Sequence, residues 1–317
     1  MWPAISYYDF PMMLEKFEHN FYAALARNEI LSRRGSSFQD FFVAVGHHCW
    51  APDFEGRRAQ GRIGDKKCDG YRPSGAIVFQ CYAPREMKPG LLCRKIDEDF
   101  RGALTNREHT PIGRWILVHN DFEELPTQAH ELIIKLRSER DSVPIEILGP
   151  EPLIMLIMGL GREKLMLLFP NGLATDDLRK IHYRDIDELI QTIGELTFDW
   201  PSGAVEAPSS RKIEHNGFSE PVSGILKGGF LVQRRFANYF ADTSRAEVGN
   251  RLAEKFKRLY AEKKAQGIDA DQIFFALTDA VGGLACEKPR RAAIVGLVTY
   301  MFHSCEIYED APIRAEL

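Results

Sequence analysis

A layered α/β domain followed by an all-helical domain is the architecture this sequence predicts, and three observations predict it. Between residues 67 and 159, short apolar runs rich in β-branched and aromatic residues alternate with amphipathic segments of helical spacing, the pattern of a sheet sandwiched by helices. Residues 199–216, Asp-Trp-Pro-Ser-Gly-Ala-Val-Glu-Ala-Pro-Ser-Ser-Arg-Lys-Ile-Glu-His-Asn, carry Pro, Gly and Ser without apolar periodicity and read as a linker. Beyond them the segments have helical periodicity. The expected division is an α/β domain over 1–198, a linker over 199–216 and a helical domain over 217–317.

Each element follows from its pattern. Residues 12–31 are expected to be helical because Met13, Phe17, Phe21 and Leu25 recur at near-helical spacing. Residues 36–49 form a second helix, entered through Ser36 or Ser37, with Phe38, Phe41, Phe42, Val45 and Cys49 on one face. A short strand over 67–71 precedes a strand over 76–82, bounded by Gly75 and Pro84. A charged helix over 93–108 leads to a core strand at 114–119. Leu125-Pro126 opens a helix running through Leu136, 143–148 is the next strand, and 151–159 a further helix.

After the linker, 222–240, 246–266 and 271–281 read as helices, with Val248, Leu252, Phe256, Leu259 and Tyr260 tracing one stripe and Gly267 a C-cap. The last helix, 289–305, is apolar nearly all round. Such a helix is either central to its bundle or covered by another chain. Core is the default, yet a small domain has limited room to surround it, which makes Val298, Met301 and Phe302 candidates for an assembly face.

Composition narrows the function. Lys+Arg 41 against Asp+Glu 45 gives a net charge of -4, which excludes a general polyanion binder and leaves nucleic-acid contact to local patches. With 317 residues, 44% of them hydrophobic, the chain can bury a large core. It opens with no signal-like segment and has no apolar run of the roughly 20 residues that span a bilayer, so a soluble, cytoplasmic protein without membrane contact is expected. Cysteines at 49, 68, 81, 93, 286 and 305 form no Cys-x-x-Cys pair, as expected of free thiols in a reducing compartment. His47-His48-Cys49 invites a zinc or thiol-hydrolase reading, but neither finger spacing nor a positioned base accompanies it.

The chemistry concentrates around Asp69 and Gln80. On the 76–82 strand, Ile77, Phe79 and Cys81 share one face, while Val78, Gln80 and Tyr82 share the other. An amide and a phenol on an otherwise apolar strand need partners. Asp69 falls on the neighbouring strand beside Gly70, which permits close approach. A carboxylate and an amide oxygen, completed by water and phosphate oxygens, suit a hard cation such as magnesium. Arg57, Arg58 and Arg62 before Asp69, and Arg72, Arg85, Lys88, Arg94 and Lys95 after it, supply a basic surround for DNA phosphates. The plainer reading makes Asp69-Gly70 a turn dipeptide, like Asp65 after Gly64, with Gln80 capping a strand edge, Tyr82 bonded from the core and the arginines solvated.

In its order of elements, a helix containing Phe38-Gln-Asp-Phe41, a strand with Asp69, a strand with Gln80-x-Tyr82, a helix, then the strand from Trp115 to Asn120, the chain resembles the restriction-endonuclease-like PD-(D/E)xK superfamily, and within it the nuclease domains of bacterial anti-phage effectors. That resemblance implies a mixed sheet flanked by helices and a Mg2+- or Mn2+-dependent deoxyribonuclease. Asp69 and Gln80 would be ligands, with Gln39 standing where the family has a helical acid and Asp40 next to it. The sequence departs from the pattern at Tyr82, which occupies the place of the motif lysine. Lys66, Lys67 or Lys95 can supply that cation from elsewhere.

The tail from Arg291 to Asp310 is similar to the C-terminal domain of effectors in bacterial three-component defence systems of the Lamassu type. Such systems are built around an SMC/Rad50-like ABC ATPase. This second resemblance implies an ATPase and an accessory subunit as partners, and release followed by self-association into a dimer or tetramer that cuts double-stranded DNA. The rival expectation is a non-catalytic nucleic-acid-binding or scaffold subunit on a degenerate nuclease fold.

Overall fold

A computed structural model describes residues 14–57, 68–123, 125–139, 143–194, 211–304 and 307–309. Contacts divide the chain into two compact units, residues 29–168 and a second made of residues 1–28 with 169–317.

The first unit is built on a five-stranded mixed sheet in the order β1 (Glu55–Gly56), β2 (Gly70–Arg72), β3 (Ile77–Tyr82), β4 (Arg114–His119) and β5 (Ile145–Leu148). β1, β2 and β3 run antiparallel, and β3, β4 and β5 run parallel. The parallel strands are joined through α3 (Pro89–Thr105) and α4 (Thr127–Ser138), because a parallel connection requires a crossover. Alternation along β3 divides the core. Phe79 packs against Phe42 of α2 (Ser36–Trp50), at 5.2 Å between ring centroids, and against Trp50 at 5.1 Å. On the opposite face Val78 joins Trp115, Leu117, Leu92, Ile96, Phe100, Ala129, Ile133 and Ile145 beneath α3 and α4. The helices α5 (Pro150–Met158) and α6 (Arg162–Leu168) complete this unit.

Several sequence expectations shift by a few residues for local reasons. α3 begins at Pro89 rather than 93, since proline suits the first turn, where no N–H bond is lost. α2 is entered from Gly35 at φ 52° rather than through a serine. The β2 strand starts at Gly70, with Asp69 just before it. At Gly70 a Cβ would lie 2.9 Å from the Phe54 ring, so the close approach anticipated there belongs to an aromatic side chain.

The second unit is helical: α1 (Lys16–Ser32), whose last turn belongs to the first unit, then α7 (Thr175–Arg179), α8 (Tyr183–Gly194), α9 (Arg211–His215), α10 (Glu220–Phe240), α11 (Thr243–Ala265), α12 (Ala270–Asp279) and α13 (Lys288–Ser304). α10, α8, α7 and α12 pack around α13, and Val298, Met301 and Phe302 are 2%, 1% and 1% exposed. The assembly face expected there is therefore corrected: these side chains form the centre of the unit. The bundle can enclose α13 because it recruits α1 and the helices after residue 169, which the sequence placed with the α/β domain. Gly224 and Gly228 of α10 permit this, since their missing Cβ atoms leave room for Asn20 and Phe17 of α1. Most of the expected linker lies outside the described residues, and its last part forms α9.

Arg291 ties this unit internally. Buried at 5% exposure, it donates to the carbonyls of Leu284, Cys286, Pro170 and Gly172. Among the described residues, no helix is long and apolar enough to cross a membrane, and Cys49, Cys68, Cys81, Cys93 and Cys286 are unbridged.

Candidate metal centre on β2 and β3

Asp69 and Gln80 meet. Both are 3% exposed, and Gln80 Nε2 donates to Asp69 Oδ2 at 2.8 Å. The same oxygen accepts the Cys81 backbone N–H at 2.6 Å, while Asp69 N donates to the Phe79 carbonyl at 2.9 Å. The carboxylate thus takes a ladder position that a backbone carbonyl would otherwise fill, and β2 hands it directly to β3. The placement follows from register: Gly70 pairs with Phe79 and Tyr71 with Val78, so the residue before the strand lies level with Gln80.

Gln80 Oε1 is buried and, among the described residues, accepts no hydrogen bond. An unpaired buried amide oxygen costs about 1–3 kcal/mol, and its position beside a carboxylate gives it the chemistry of a hard-cation ligand. Carboxylate and amide oxygen together fit Mg2+ or Mn2+, which keep several waters and add substrate phosphate oxygens. Among the described residues no three His, Cys, Asp or Glu side chains group closely enough to hold a metal ion by themselves, so a site here takes only part of its coordination from the protein.

The other expected residues separate into distinct roles. Tyr82 packs against the core beneath α3 and pairs across the sheet with His119. Burial raises its phenol pKa, opposed by Arg94, so the hydroxyl is a neutral donor and no substitute for an ammonium. Gln39 uses its amide on the Arg57 carbonyl at 3.0 Å, and Arg57 N in turn bonds the Asp69 carbonyl. Gln39 therefore braces the backbone behind the site. Asp40 is exposed on α2. Lys66, Lys67, Arg58 and Arg62 lie outside the described residues.

Two of the basic residues are engaged structurally. Arg57 lies over the Tyr71 ring at 4.7 Å and donates to Thr110 Oγ1 at 2.7 Å. Arg72 lies over Trp50 at 5.2 Å and bonds Asp53 at 3.0 Å, whose carboxyl pKa is lowered by the Ser74 hydroxyl and amide and then by Arg72. Arg85 and Lys88 are exposed, Lys88 with Glu86 at 3.1 Å.

Neighbouring groups hold inert states. Burial, with Asp69 adding, pushes the Cys81 thiol up, and burial pushes Cys49 up to about 12 against Lys164 and Arg72. A thiol held protonated by burial is a poor nucleophile, which speaks against the Cys49 hydrolase reading. Burial lowers His119 to about 4, opposed by Asp121, and its Nδ1 accepts the Asp121 N–H at 3.3 Å. Asn120 is spoken for, its amide donating to the carbonyls of Ile30 and Arg33.

Sequence reasoning missed Asp99. It is 1% exposed on α3 between Ile96 and Phe100, with Lys95 Nζ 2.6 Å from its Oδ2. The signal was available, since Leu92, Ile96, Phe100 and Ala103 define a buried face on which position 99 also falls.

Comparison with known proteins touches the other unit. No curated protein and no solved structure matches the chain. Residues 184–309 match the family model described as C-terminal domain 10 of the ABC-three component (ABC-3C) systems. The matched segment runs from α8 to the residues after α13, and its similarity to a component of those systems is what the comparisons establish.

Proposed function

We propose that this chain is the nuclease component of an ABC-three component anti-phage system, with residues 29–168 as the cutting unit and the matched helical segment as the part through which an SMC/Rad50-like ATPase and an accessory subunit hold it. The observation that carries the nuclease reading is the buried Asp69–Gln80 pair, with Gln80 Oε1 left without a donor among the described residues. The order of helix α2, antiparallel β2 and β3, crossover helix α3 and parallel β4 supports it, being the order on which the restriction-endonuclease-like resemblance rests.

In this reading Asp69 and Gln80 would hold a divalent cation, and double-stranded DNA would be the substrate. The cation would polarise the phosphodiester and lower the pKa of a bound water. The protein's part is orientation: Cys81 N–H and Gln80 Nε2 hold the carboxylate, and Gln39 braces the backbone behind it. Exposed Arg85 and Lys88 offer phosphate contacts of the kind that make binding salt-dependent. Self-association would bring two such sites onto opposite strands.

A second reading has an observation of its own. Tyr82 stands neutral and core-packed in the lysine's place, and Arg57 and Arg72 are occupied within the fold, as in a scaffold that has lost the chemistry. The separating experiment is incubation of purified protein with supercoiled plasmid in Mg2+ or Mn2+, with and without EDTA, beside Asp69→Asn. Metal-dependent nicking lost in the variant supports the nuclease; no nicking by either protein, in the presence or absence of its ATPase partner, supports the scaffold.

A further inference from the structure

The helical unit keeps a hollow that packing alone does not explain. A cavity of about 200 Å³ lies between α10, α11 and α13. Protein interiors are packed as densely as organic crystals, with few voids larger than a water molecule, and about 150 Å³ already holds a benzene ring. Small residues make the space: Ala237 and Ala241 on α10 and Ala246 and Ala253 on α11 line it, each with one methyl where a leucine would fill the room. Ala237 and Ala241 are exposed, so the cavity opens to the surface along α10.

The walls have a definite chemistry. Among the described residues, no charged side chain lines the cavity. One wall is aromatic: Phe240 and Tyr300 stack at 5.5 Å between ring centroids, and Phe236 stacks on Tyr300 at 5.9 Å, which fixes that wall in place. A rigid aromatic surface suits a planar ring. The polar lining residues include Ser304, whose Oγ donates to the Tyr300 carbonyl at 2.7 Å, and Asn250. Asn250 is half-buried inside α11 directly after Gly249, and both residues are weaker helix formers than alanine. The asparagine amide presents a donor and an acceptor side by side, the complement of the amino group and N7 of adenine.

A positive charge stands at one end. Arg234 is exposed on α10 three residues before Ala237, and residues so spaced on a helix have Cβ atoms about 5–6 Å apart. Its guanidinium is thus at the rim, within reach of a phosphate attached to a base held inside. Asp242 and Glu247 follow Ala241 and Ala246 and are exposed, which disfavours a phosphate at the other end.

We propose that this cavity binds an adenine nucleotide, with the rings against Phe240 and Tyr300, the amino edge on Asn250 and the phosphate on Arg234. The proposal is independent of the nuclease reading. It gives the matched segment, residues 184–309, a ligand of its own.

Calorimetry on the purified chain tests it with AMP, IMP, adenosine and a ten-residue oligoadenylate, for wild type, Asn250→Ala, Arg234→Ala and Ala246→Leu, with folding checked by circular dichroism. Asn250→Ala improves helix propensity and Ala246→Leu fills the cavity with apolar volume, so both should fold. Wild type is expected to bind one AMP per chain. IMP, in which a carbonyl replaces the amino group, should bind wild type about 5–150-fold more weakly, and AMP should bind Asn250→Ala with a similar loss, the worth of a good bidentate pair. Arg234→Ala should weaken AMP and leave adenosine unchanged, and Ala246→Leu should bind neither. Oligoadenylate binding no tighter than AMP identifies a free nucleotide as the ligand; tighter binding that falls with salt identifies a single strand. No saturation by millimolar AMP or by oligoadenylate, equal affinity for AMP and IMP, or wild-type affinity in folded Ala246→Leu overturns the proposal.

Discussion

Replacing Gln80 with glutamate tests the site through stability, without requiring activity. Gln80 Nε2 stands 2.8 Å from Asp69 Oδ2 in a location where both residues are 3% exposed. Gln80→Glu exchanges that donor for a second carboxylate, and two like charges about 4 Å apart repel by about 4 kcal/mol at an effective dielectric near 20. The folded protein relieves the repulsion by keeping a proton, so the carboxyl pKa of the pair rises well above the ordinary glutamate value. The raised pKa fixes the sign. Between the ordinary glutamate value near 4.3 and the raised one, the folded state binds a proton that the unfolded chain has released, so stability falls as pH rises. By about pH 8, in EDTA, the whole penalty is present, and at roughly 2–4 °C per kcal/mol it lowers the melting temperature by roughly 8–16 °C. Near pH 4.5 the variant should approach wild type. Mn2+ should reverse the loss at pH 8, because a divalent ion between two carboxylates turns repulsion into ligation. Differential scanning fluorimetry over pH, with EDTA and with Mn2+, measures all of this. A variant as stable as wild type in EDTA at pH 8 and unmoved by Mn2+ would show that the two side chains do not share a cation site.

Three further outcomes follow from the helical unit. Arg291→Met should cost about 3–5 kcal/mol in urea denaturation, since it strips the donor from four carbonyls and leaves the buried ones unsatisfied; a loss under about 1 kcal/mol would mean that water replaces the guanidinium. Val298→Glu should unfold this unit by circular dichroism rather than shift an oligomer by light scattering, because Val298 is 2% exposed at the centre of the bundle; a folded variant with weakened self-association would contradict the burial. His303 is stacked on Phe230 at 3.8 Å, and burial lowers its pKa to about 4, with Leu226 opposing and Lys212 assisting. The folded ring stays neutral where the unfolded one gains a proton, so stability is lost on acidification between about pH 6.5 and 4, on the order of 3 kcal/mol. His303→Phe should flatten that slope, leaving the share of His119; equal slopes would place the ring in solvent.

Much of the first unit was legible because its information is local. Alternation along 76–82 puts Val78 and Gln80 on one face and Phe79 on the other, and the structure separates them that way. The pairing of Asp69 with Gln80 needed only two adjacent strands in register. β1, with two residues, carries too little pattern to announce itself. Asp99 was hidden in the charged run Lys95-Ile-Asp-Glu-Asp, where composition suggests a solvated face and only the periodicity of Leu92, Ile96 and Phe100 reveals a buried carboxylate. The second unit was misread where its contacts are distant in sequence. Nothing in the pattern of Phe17 and Asn20 names Gly228 and Gly224 as neighbours some 200 residues away. With α1, α7 and α8 placed elsewhere, α13 looked too apolar for its own bundle and Val298 like an interface. Arg57 and Arg72 show the same limit, since a basic residue beside a site looks the same in sequence whether it meets phosphate or a tyrosine ring.

The central claim, that Asp69 and Gln80 hold one divalent cation, is tested most directly by Mn2+ binding to the purified chain, followed by electron paramagnetic resonance. The variant to compare is Asp69→Asn, which keeps an acceptor for the Cys81 and Gln80 N–H groups while removing the charge. One Mn2+ bound per chain in the wild type, displaced by Mg2+ and lost in Asp69→Asn, is the predicted result. Equal binding by both proteins, or none by either, would contradict it.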